Sequence, residues 1–389
     1  MKICKVEVFP LSYGTDDFPP RRRYFVVLKL TTDEGIVGWG EASDCYGHSS
    51  PMTVKALIEE KLQWLVLGQN PLNVERLIRR IRKRTYSPQG CREFIIQAIS
   101  AIEIALWDIR GKVFGKSVSE LLGSYRDELS LYSSGTPNFY DDPNKHLEFY
   151  QPLLKRGVKT VKVRTGKSLE WDMQFVRLMR KLLPKDIQIA VDGKHNYKTE
   201  SAIKLSKVLG EIDALWFEEP IPDTNLDELA WLARESPVPL AYGEHSYTLN
   251  DFRDIIKYKA ARILEPDATV CGGISEARNV AILADAYGLP VVPHSGGLTA
   301  IGLAANVHVA SAIPNFVLFE MDGREKQPLV DELLVEPILS IENIVQGCIP
   351  VPSGPGLGID INEEIFEKYP YQLDEQIARS FPRYGTQHI

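Results

Sequence analysis

Over the first 42 residues apolar and polar positions alternate, and after them the period lengthens. Alternation by two predicts strands at Lys2–Phe9, Tyr24–Thr31 and Ile36–Ala42, with Asp33-Glu34-Gly35 turning the chain between the last two. Periods near 3.6 then predict helices at Pro51–Leu65, Leu72–Thr85 and Cys91–Val113. The third carries Ile95, Ile96, Ile99, Ile102, Ile104, Ala105 and Trp107, which is too apolar for a surface helix and implies one buried nearly all round. These elements make an α+β unit of ordinary domain size.

From Leu129 the rhythm changes to short β-branched runs alternating with helical patterns. The runs end near Ser134, Arg164, Lys194, Glu219, Glu244, Asp267, His294 and Glu320. From Arg164 onward the intervals are 30, 25, 25, 23, 27 and 26 residues, the spacing of repeated strand–loop–helix–loop units. Seven or eight such units closing on themselves make a (β/α) barrel. An open doubly wound sheet is the alternative, but no GxGxxG or Walker-type loop follows the first of these strands. Gly272-Gly273 alone is a weak phosphate signal.

Composition narrows the function classes. At 389 residues the chain exceeds one small core, and 45 Lys+Arg against 52 Asp+Glu give a net charge of −7. That balance argues against sequence-independent nucleic-acid binding, yet leaves room for a local anion site. No apolar run is long enough to span a bilayer, and the amino terminus reads as a strand rather than a signal peptide, so no membrane association and a cytoplasmic location are expected. Cys4, Cys45, Cys91, Cys271 and Cys348 are scattered, without CxxC spacing, as reduced thiols would be.

In a barrel the chemistry gathers at the carboxyl ends of the strands. IQIAVDGK ends at Asp192, ALWFEEP carries Glu218 and VPLAYGEH carries Glu244, each 26 residues from the last. Three convergent carboxylates repel unless a cation lies between them, and an all-oxygen donor set favours Mg2+. VKTVKVRTG places Lys162 and Arg164 on one face of a strand, and Lys194 joins them if its strand runs two residues past Asp192. Opposite the acids, Asp267 and His294 fall on neighbouring strand ends, where a carboxylate orients an imidazole for general-base work. Glu320 on the last strand either donates a proton or pairs with a cation; spacing leaves both readings open.

These residues sit in motifs that resemble the enolase superfamily, specifically its mandelate racemase/muconate lactonizing enzyme branch. The matching segments are GIVGWGEA (35–42), AISAIEIALWDIRGK (98–112), VDG (191–193), WFEEP (216–220), YGEH (242–245), EPDATVCGGISEA (265–277), VPHS (292–295), PLVDELL (328–334) and GPGLGIDI (354–361). The resemblance implies an α/β fold: a modified TIM barrel (β/α)7β with an N-terminal α+β capping domain. It implies a cap over residues 1–127, a barrel over 128–345 and a C-terminal segment, 346–389, returning to the cap. It further implies Mg2+ on Asp192, Glu218 and Glu244, removal of the proton α to a carboxylate through an enediolate, Asp267–His294 as the base-carrying dyad, and Glu320 beside the substrate carboxylate. Dimers or octamers are common in the family, so a homo-oligomer is expected.

Two positions depart from the family pattern. Its Lys-x-Lys strand is Lys162-Val163-Arg164 here, and a guanidinium stays protonated, so Arg164 is a poor base suited to holding an oxyanion. Lys194 stands where relatives often carry Asn or His, and a lysine near a cation can transfer protons. One-base β-elimination is then easier to support than two-base racemisation. The expected activity is dehydration of a sugar acid to a 2-keto-3-deoxy acid. A racemase or epimerase of a 2-hydroxy acid and a catalytically silent binding or scaffold protein are the alternatives. Substrate selection is expected from the loops Ser12–Arg23 and Ser43–Pro51, with Arg21, Arg22, Arg23, Tyr46 and His48 as polar contacts.

Overall fold

The computed structural model describes residues 1–15, 21–43, 51–86, 92–135 and 142–373. An antiparallel sheet opens the chain: β1 (Ile3–Thr15), β2 (Arg21–Thr32) and β3 (Val37–Ala42), in that spatial order. The turn at 33–35 is where the sequence places it, with the Gly35 N–H donating to the Thr32 carbonyl. β1 and β2 run further than their alternation suggests. Ser12, Tyr13, Gly14 and Thr15 pair with Tyr24, Arg23, Arg22 and Arg21, so the expected loop Ser12–Arg23 is mostly hairpin strand. Residues 16–20, Tyr46 and His48 lie outside the described residues.

Against this sheet packs the helix Glu93–Phe114, whose middle is buried on every side, as its composition requires. The glycines of GWG explain the closeness. A Cβ on Gly40 would lie 1.9 Å from the Ala101 carbonyl oxygen, and one on Gly38 would lie 2.2 Å from that of Ala105. Positions 38 and 40 of β3 must therefore lack a side chain for the helix to lie flat on the strand. The helix stops at Gly115, whose φ of 62° is the left-handed C-cap conformation. The predicted first helix is continuous over Pro51–Val66 but includes a π-helical turn, Ile58–Leu62.

The second sheet is parallel through β4 (Glu128–Ser134), β5 (Thr160–Arg164), β6 (Gln188–Asp192), β7 (Phe217–Glu218), β8 (Leu240–Tyr242) and β9 (Ile263–Leu264), with β10 (Phe319–Asp322) on the far side of β4. Single parallel bridges from Leu264 to Val291 and from Val291 to Phe316 carry the ladder from β9 toward β10. The fold is a modified (β/α)7β barrel with an N-terminal cap. Several strands stop earlier than the sequence pattern implies. β6 ends at Asp192, not Lys194, and β8 ends at Tyr242, not Glu244. The acids that seemed to close strands often stand one or two residues beyond them, in the loops.

Alternation across each strand sorts the barrel into two layers. Leu131, Val161, Val163, Val191, Phe217, Leu240, Leu264 and Phe319 point outward into the main core under the helices. Tyr132, Ala190, Trp216, Ala241, Ile263 and Val292 point inward and form a separate apolar cluster. Tyr132 and Trp216 meet edge to face at 5.3 Å between centroids and plug the barrel below the polar residues.

After β10 the chain adds β11 (Cys348–Pro350) antiparallel to β4 and then runs back to the first sheet. Phe366 stacks on Phe9 at 4.4 Å, Pro370 bridges Leu11, and Glu363 pairs with Lys29. No helix among the described residues is long and apolar enough to cross a membrane.

Candidate active site

Above the apolar plug the inward positions become charged. Lys162 on β5 is 1% exposed, and its ammonium pairs with Glu218 of β7 and, at 3.0 Å, with Glu320 of β10. Burial alone would lower its pKa, but the two carboxylates outweigh that and raise it well above the usual lysine range. Two residues further along β5, Arg164 donates to Asp192 Oδ2 at 2.6 Å. Asp192 Oδ1 accepts the Lys194 backbone N–H at 2.8 Å. Lys194 is off the strand, in the left-handed region at φ 50°, so the expectation that strand continuation turns it inward is not met.

Glu218 is crowded. Its second oxygen accepts the Trp216 indole N–H at 3.0 Å. Burial first, then Asp192, Glu244 and Glu320, push its pKa up to about 8 against the pull of Lys162. Glu244 leans toward His294, with 3.4 Å between Oε2 and Nε2.

The dyad expected from sequence is formed. His294 Nδ1 lies 2.8 Å from Asp267 Oδ2, and both residues are buried. The other oxygen of Asp267 accepts from Thr269 N and Thr269 Oγ1, both at 2.7 Å, and from Asn306 Nδ2 at 2.9 Å. Those three donors fix the rotation of the carboxylate. His294 Nε2 faces Glu244 and, at 3.6 Å, Glu320. Burial opposes the imidazolium, but Glu244, Glu320 and Asp267 together raise the His294 pKa to about 10. Glu320 is anchored by the Ser295 backbone N–H at 2.9 Å and held ionised by Lys162 and His294, which overcome its burial.

The strand-end residues Lys162, Arg164, Asp192, Glu218, Glu244, Asp267, His294 and Glu320 thus form one linked cluster. Of the cap residues, Arg22 donates to Ser12 Oγ at 3.3 Å, along the first hairpin. Arg23 reaches the barrel: it donates to Asp322 Oδ2 at 2.8 Å, as Arg324 does at 2.6 Å. Asp322 lies two residues after Glu320 on β10, so the pair latches the cap to the rim of the same inner face.

Sequence reasoning missed several partners. Asn306 and Thr269, which orient the dyad, carry no signal of their own in a single sequence. Glu265 could have been found by alternation, because it precedes Asp267 by two residues and follows the inward Ile263. The adjoining Glu219 holds His195 Nε2 at 2.7 Å and His245 Nδ1 at 2.8 Å. Those three residues bring metal-ligating atoms within 4.8 Å of one another among the described residues. They are already joined as a carboxylate between two histidines whose pKa values it raises. Asp192, Glu218 and Glu244 are engaged by Arg164, Lys162 and His294 instead.

The donor set still fits a hard divalent cation. It consists of carboxylate oxygens on consecutive strands or strand ends, and the acids facing inward outnumber the permanent cations Lys162 and Arg164. A further buried carboxyl, Glu265, has no hydrogen-bond partner for either oxygen among the described residues.

Comparison with known proteins gives the same picture over the whole chain. Residues 15–123 match the model of the mandelate racemase/muconate lactonizing enzyme N-terminal domain, and residues 147–365 that of the enolase C-terminal domain-like family. An arabinonate dehydratase of Saccharolobus solfataricus is 36% identical over 351 residues, covering 88% of this chain and 90% of that one. A D-galactarolactone cycloisomerase of Agrobacterium fabrum is 31% identical over 360 residues, covering 90% and 92%. Among solved structures, an enolase superfamily member from Polaromonas superposes with a TM-score of 0.87 at 31% identity, covering 96% of this chain and 98% of that one.

Proposed function

The chain belongs to the mandelate racemase/muconate lactonizing enzyme family of the enolase superfamily, and from that premise we propose that it dehydrates a sugar acid to a 2-keto-3-deoxy acid. The observation that carries the reading is the buried Asp267–His294 pair, whose Nε2 faces the inward acids Glu244 and Glu320. Relatives named as dehydratases of arabinonate and D-galactonate, at 29 to 36% identity, support the substrate class.

In this mechanism Asp192, Glu218 and Glu244 would hold Mg2+, which when bound would supply electrostatic stabilisation of the negative charge on the substrate carboxylate. The chain's own residues do the rest. Asp267 keeps the His294 proton on Nδ1, so Nε2 presents its lone pair to the α-carbon. Glu244 is the first of the charges that favour a proton on Nε2, so a cation held there would offset it. Lys162, clamped between Glu218 and Glu320, and Arg164, held by Asp192, supply fixed positive charge for the carboxylate. Nε2 takes the α-proton, the electron pair of that C–H bond delocalises into the carboxylate as an enediolate, and its return forms the C2–C3 double bond. The C3–O bond breaks, and the hydroxyl takes the proton back from His294 to leave as water. The enol then tautomerises to the 2-keto acid.

Neither cation on β5 is placed to act as a second base. Arg164 stays charged and is ion-paired, and Lys162 is held protonated, which disfavours two-base racemisation. A cycloisomerase reading rests on the Agrobacterium relative and uses the same proton abstraction, but its leaving oxygen stays within the molecule. Mono- and dicarboxylic sugar acids and their lactones, incubated with Mg2+ in D2O, separate the readings. Dehydration gives a keto acid lighter by one water. Cycloisomerisation conserves mass, and epimerisation exchanges the α-hydrogen while keeping every hydroxyl. No turnover and no α-exchange on any acid would overturn all three and leave a binding protein.

A further inference from the structure

Glu265 is a buried carboxyl in the barrel interior to which the proposed reaction gives no task. β9 ends at Leu264, which points outward, while Ile263 points inward into the apolar plug. Alternation therefore turns Glu265 inward, one step above Ile263 and toward the charged layer. Its backbone N–H donates to the Tyr242 carbonyl at 3.0 Å, which fixes its height at the end of β8. The approach is close enough that a Cβ on Gly243 would lie 2.9 Å from the Glu265 nitrogen.

Glu265 is 2% exposed, and neither carboxyl oxygen has a hydrogen-bond partner among the described residues. The surrounding acids differ sharply. Asp192 has Arg164 and a backbone N–H, Glu218 has Lys162 and Trp216, Glu320 has Lys162 and Ser295, and Asp267 has three donors besides His294. Buried polar groups are almost always satisfied, so a partnerless carboxyl marks a missing partner. Protonation does not resolve the deficit, because the acid's own O–H would then lack an acceptor. The charges that act on Glu265 are Glu218, Lys162, Glu244 and Glu219, so two of the three proposed cation ligands are among its neighbours.

We propose that Glu265 is a fourth carboxylate of the divalent-cation site formed by Asp192, Glu218 and Glu244. The inference rests on the cation site of the proposed function and extends its donor set to a strand on the dyad's side of the barrel. It accounts for both orphan oxygens at once. Mg2+ keeps several waters, and those waters need acceptors. An outer acidic group that orients a cation's ligands or waters commonly changes metal affinity by about 10- to 100-fold. Glu265 also ties the cation to the loop carrying Asp267, two residues on, so metal loading and dyad placement share a backbone segment.

The test compares Glu265→Gln, Glu265→Asp and Glu244→Gln with the unmodified chain, using calorimetric titration with Mg2+ and the electron spin resonance of bound Mn2+. Glu265→Gln keeps the size and removes the charge. It is expected to weaken Mg2+ binding by about 10- to 100-fold at unchanged stoichiometry and to alter the Mn2+ spectrum. Its metal-free thermal midpoint should not fall, because a buried repulsion has been removed. Glu265→Asp retains the charge and should recover part of the affinity. Wild-type affinity and spectrum in Glu265→Gln, with binding lost in Glu244→Gln, would overturn this inference and leave the proposed function standing. Equal weakening by Gln and Asp, with a lowered metal-free midpoint, would assign Glu265 a packing role and also overturn it. Absence of any divalent-cation binding by the unmodified chain would overturn the cation site of the proposed function itself.

Discussion

Replacing Asp267 by Asn changes one atom and should nearly stop catalysis. The carboxylate lies 2.8 Å from His294 Nδ1 on one side and accepts Thr269 N, Thr269 Oγ1 and Asn306 Nδ2 on the other. In the variant those three donors require the amide oxygen on their side. The amide N–H2 must then face His294 Nδ1, where a donor already points. The ring is forced to move its proton to Nε2, the atom that has to be free to take the α-proton. Electrostatics adds to the tautomer change. A unit charge pair about 4 Å apart at an effective dielectric near 20 is worth about 4 kcal/mol, and at about 1.4 kcal/mol per decade that is roughly a thousandfold in rate. We expect α-deuteration in D2O, followed by NMR, to slow by three to four decades, as a wrong-tautomer histidine does elsewhere. The Mg2+ affinity should stay within a few-fold of the wild type. Exchange within tenfold of the wild type would show that Asp267 neither sets the tautomer nor stabilises the imidazolium, and the dyad assignment would fall.

Three other expectations follow from single residues. His308 is fully buried, accepts the Ser119 N–H on Nδ1 at 3.1 Å, donates from Nε2 to the Leu357 carbonyl at 3.0 Å, and has its pKa pushed down to about 4 by burial. The unfolded chain takes up this proton below its ordinary pKa near 6.5, whereas the folded chain does not until about 4. Stability is therefore fully present above pH 6.5 and is lost as pH falls toward 4, by about 3 kcal/mol in the limit; urea unfolding of His308→Gln should lose that part of the pH slope. Gly40→Ala drives a Cβ into the Ala101 carbonyl and should destabilise the chain by about 1–3 kcal/mol in a denaturant titration, with no change appearing if the helix can simply shift. Lys194→Met, measured by turnover and by α-exchange separately, should leave both within a few-fold of the unmodified chain, because Lys194 lies off β6 and His294 carries both proton steps; a tenfold loss of turnover with α-exchange retained would transfer protonation of the leaving hydroxyl to Lys194.

Much of this site was legible because barrel geometry converts spacing into position. A strand period of 23 to 27 residues was enough to bring Asp192, Glu218, Asp267, His294 and Glu320 to one end of the fold. What spacing could not convey was where each strand stops. β6 and β8 end two residues before Lys194 and Glu244, where the backbone leaves the extended region, at φ 50° for Lys194 and 143° for Gly243. Hydrophobic pattern is silent about those. The length of the first hairpin was hidden for a different reason. Its last pairs join Tyr13 to Arg23 and Thr15 to Arg21, and cations there read as loop until Arg23 is seen against Asp322.

The same logic separates what holds this site from what acts in it. Lys162, Arg164 and His294 each carry a carboxylate partner, so in the chain alone the positive charge that suits a substrate anion is spent on Glu218, Asp192 and Glu244. A buried pair of this kind adds little net stability, since desolvation offsets attraction, and removing one partner is far more damaging than keeping both. The arrangement is better understood as a store of preorganised charge. Under the proposed function, a divalent cation on the three acids would leave an ammonium, a guanidinium and an imidazole already fixed in direction by β5 and the Asp267 network. A carboxylate substrate would then meet them without rearrangement of the backbone. An overall charge of −7 is compatible with such an anion-attracting pocket, because the negative residues at its centre are the ones the proposed cation would neutralise.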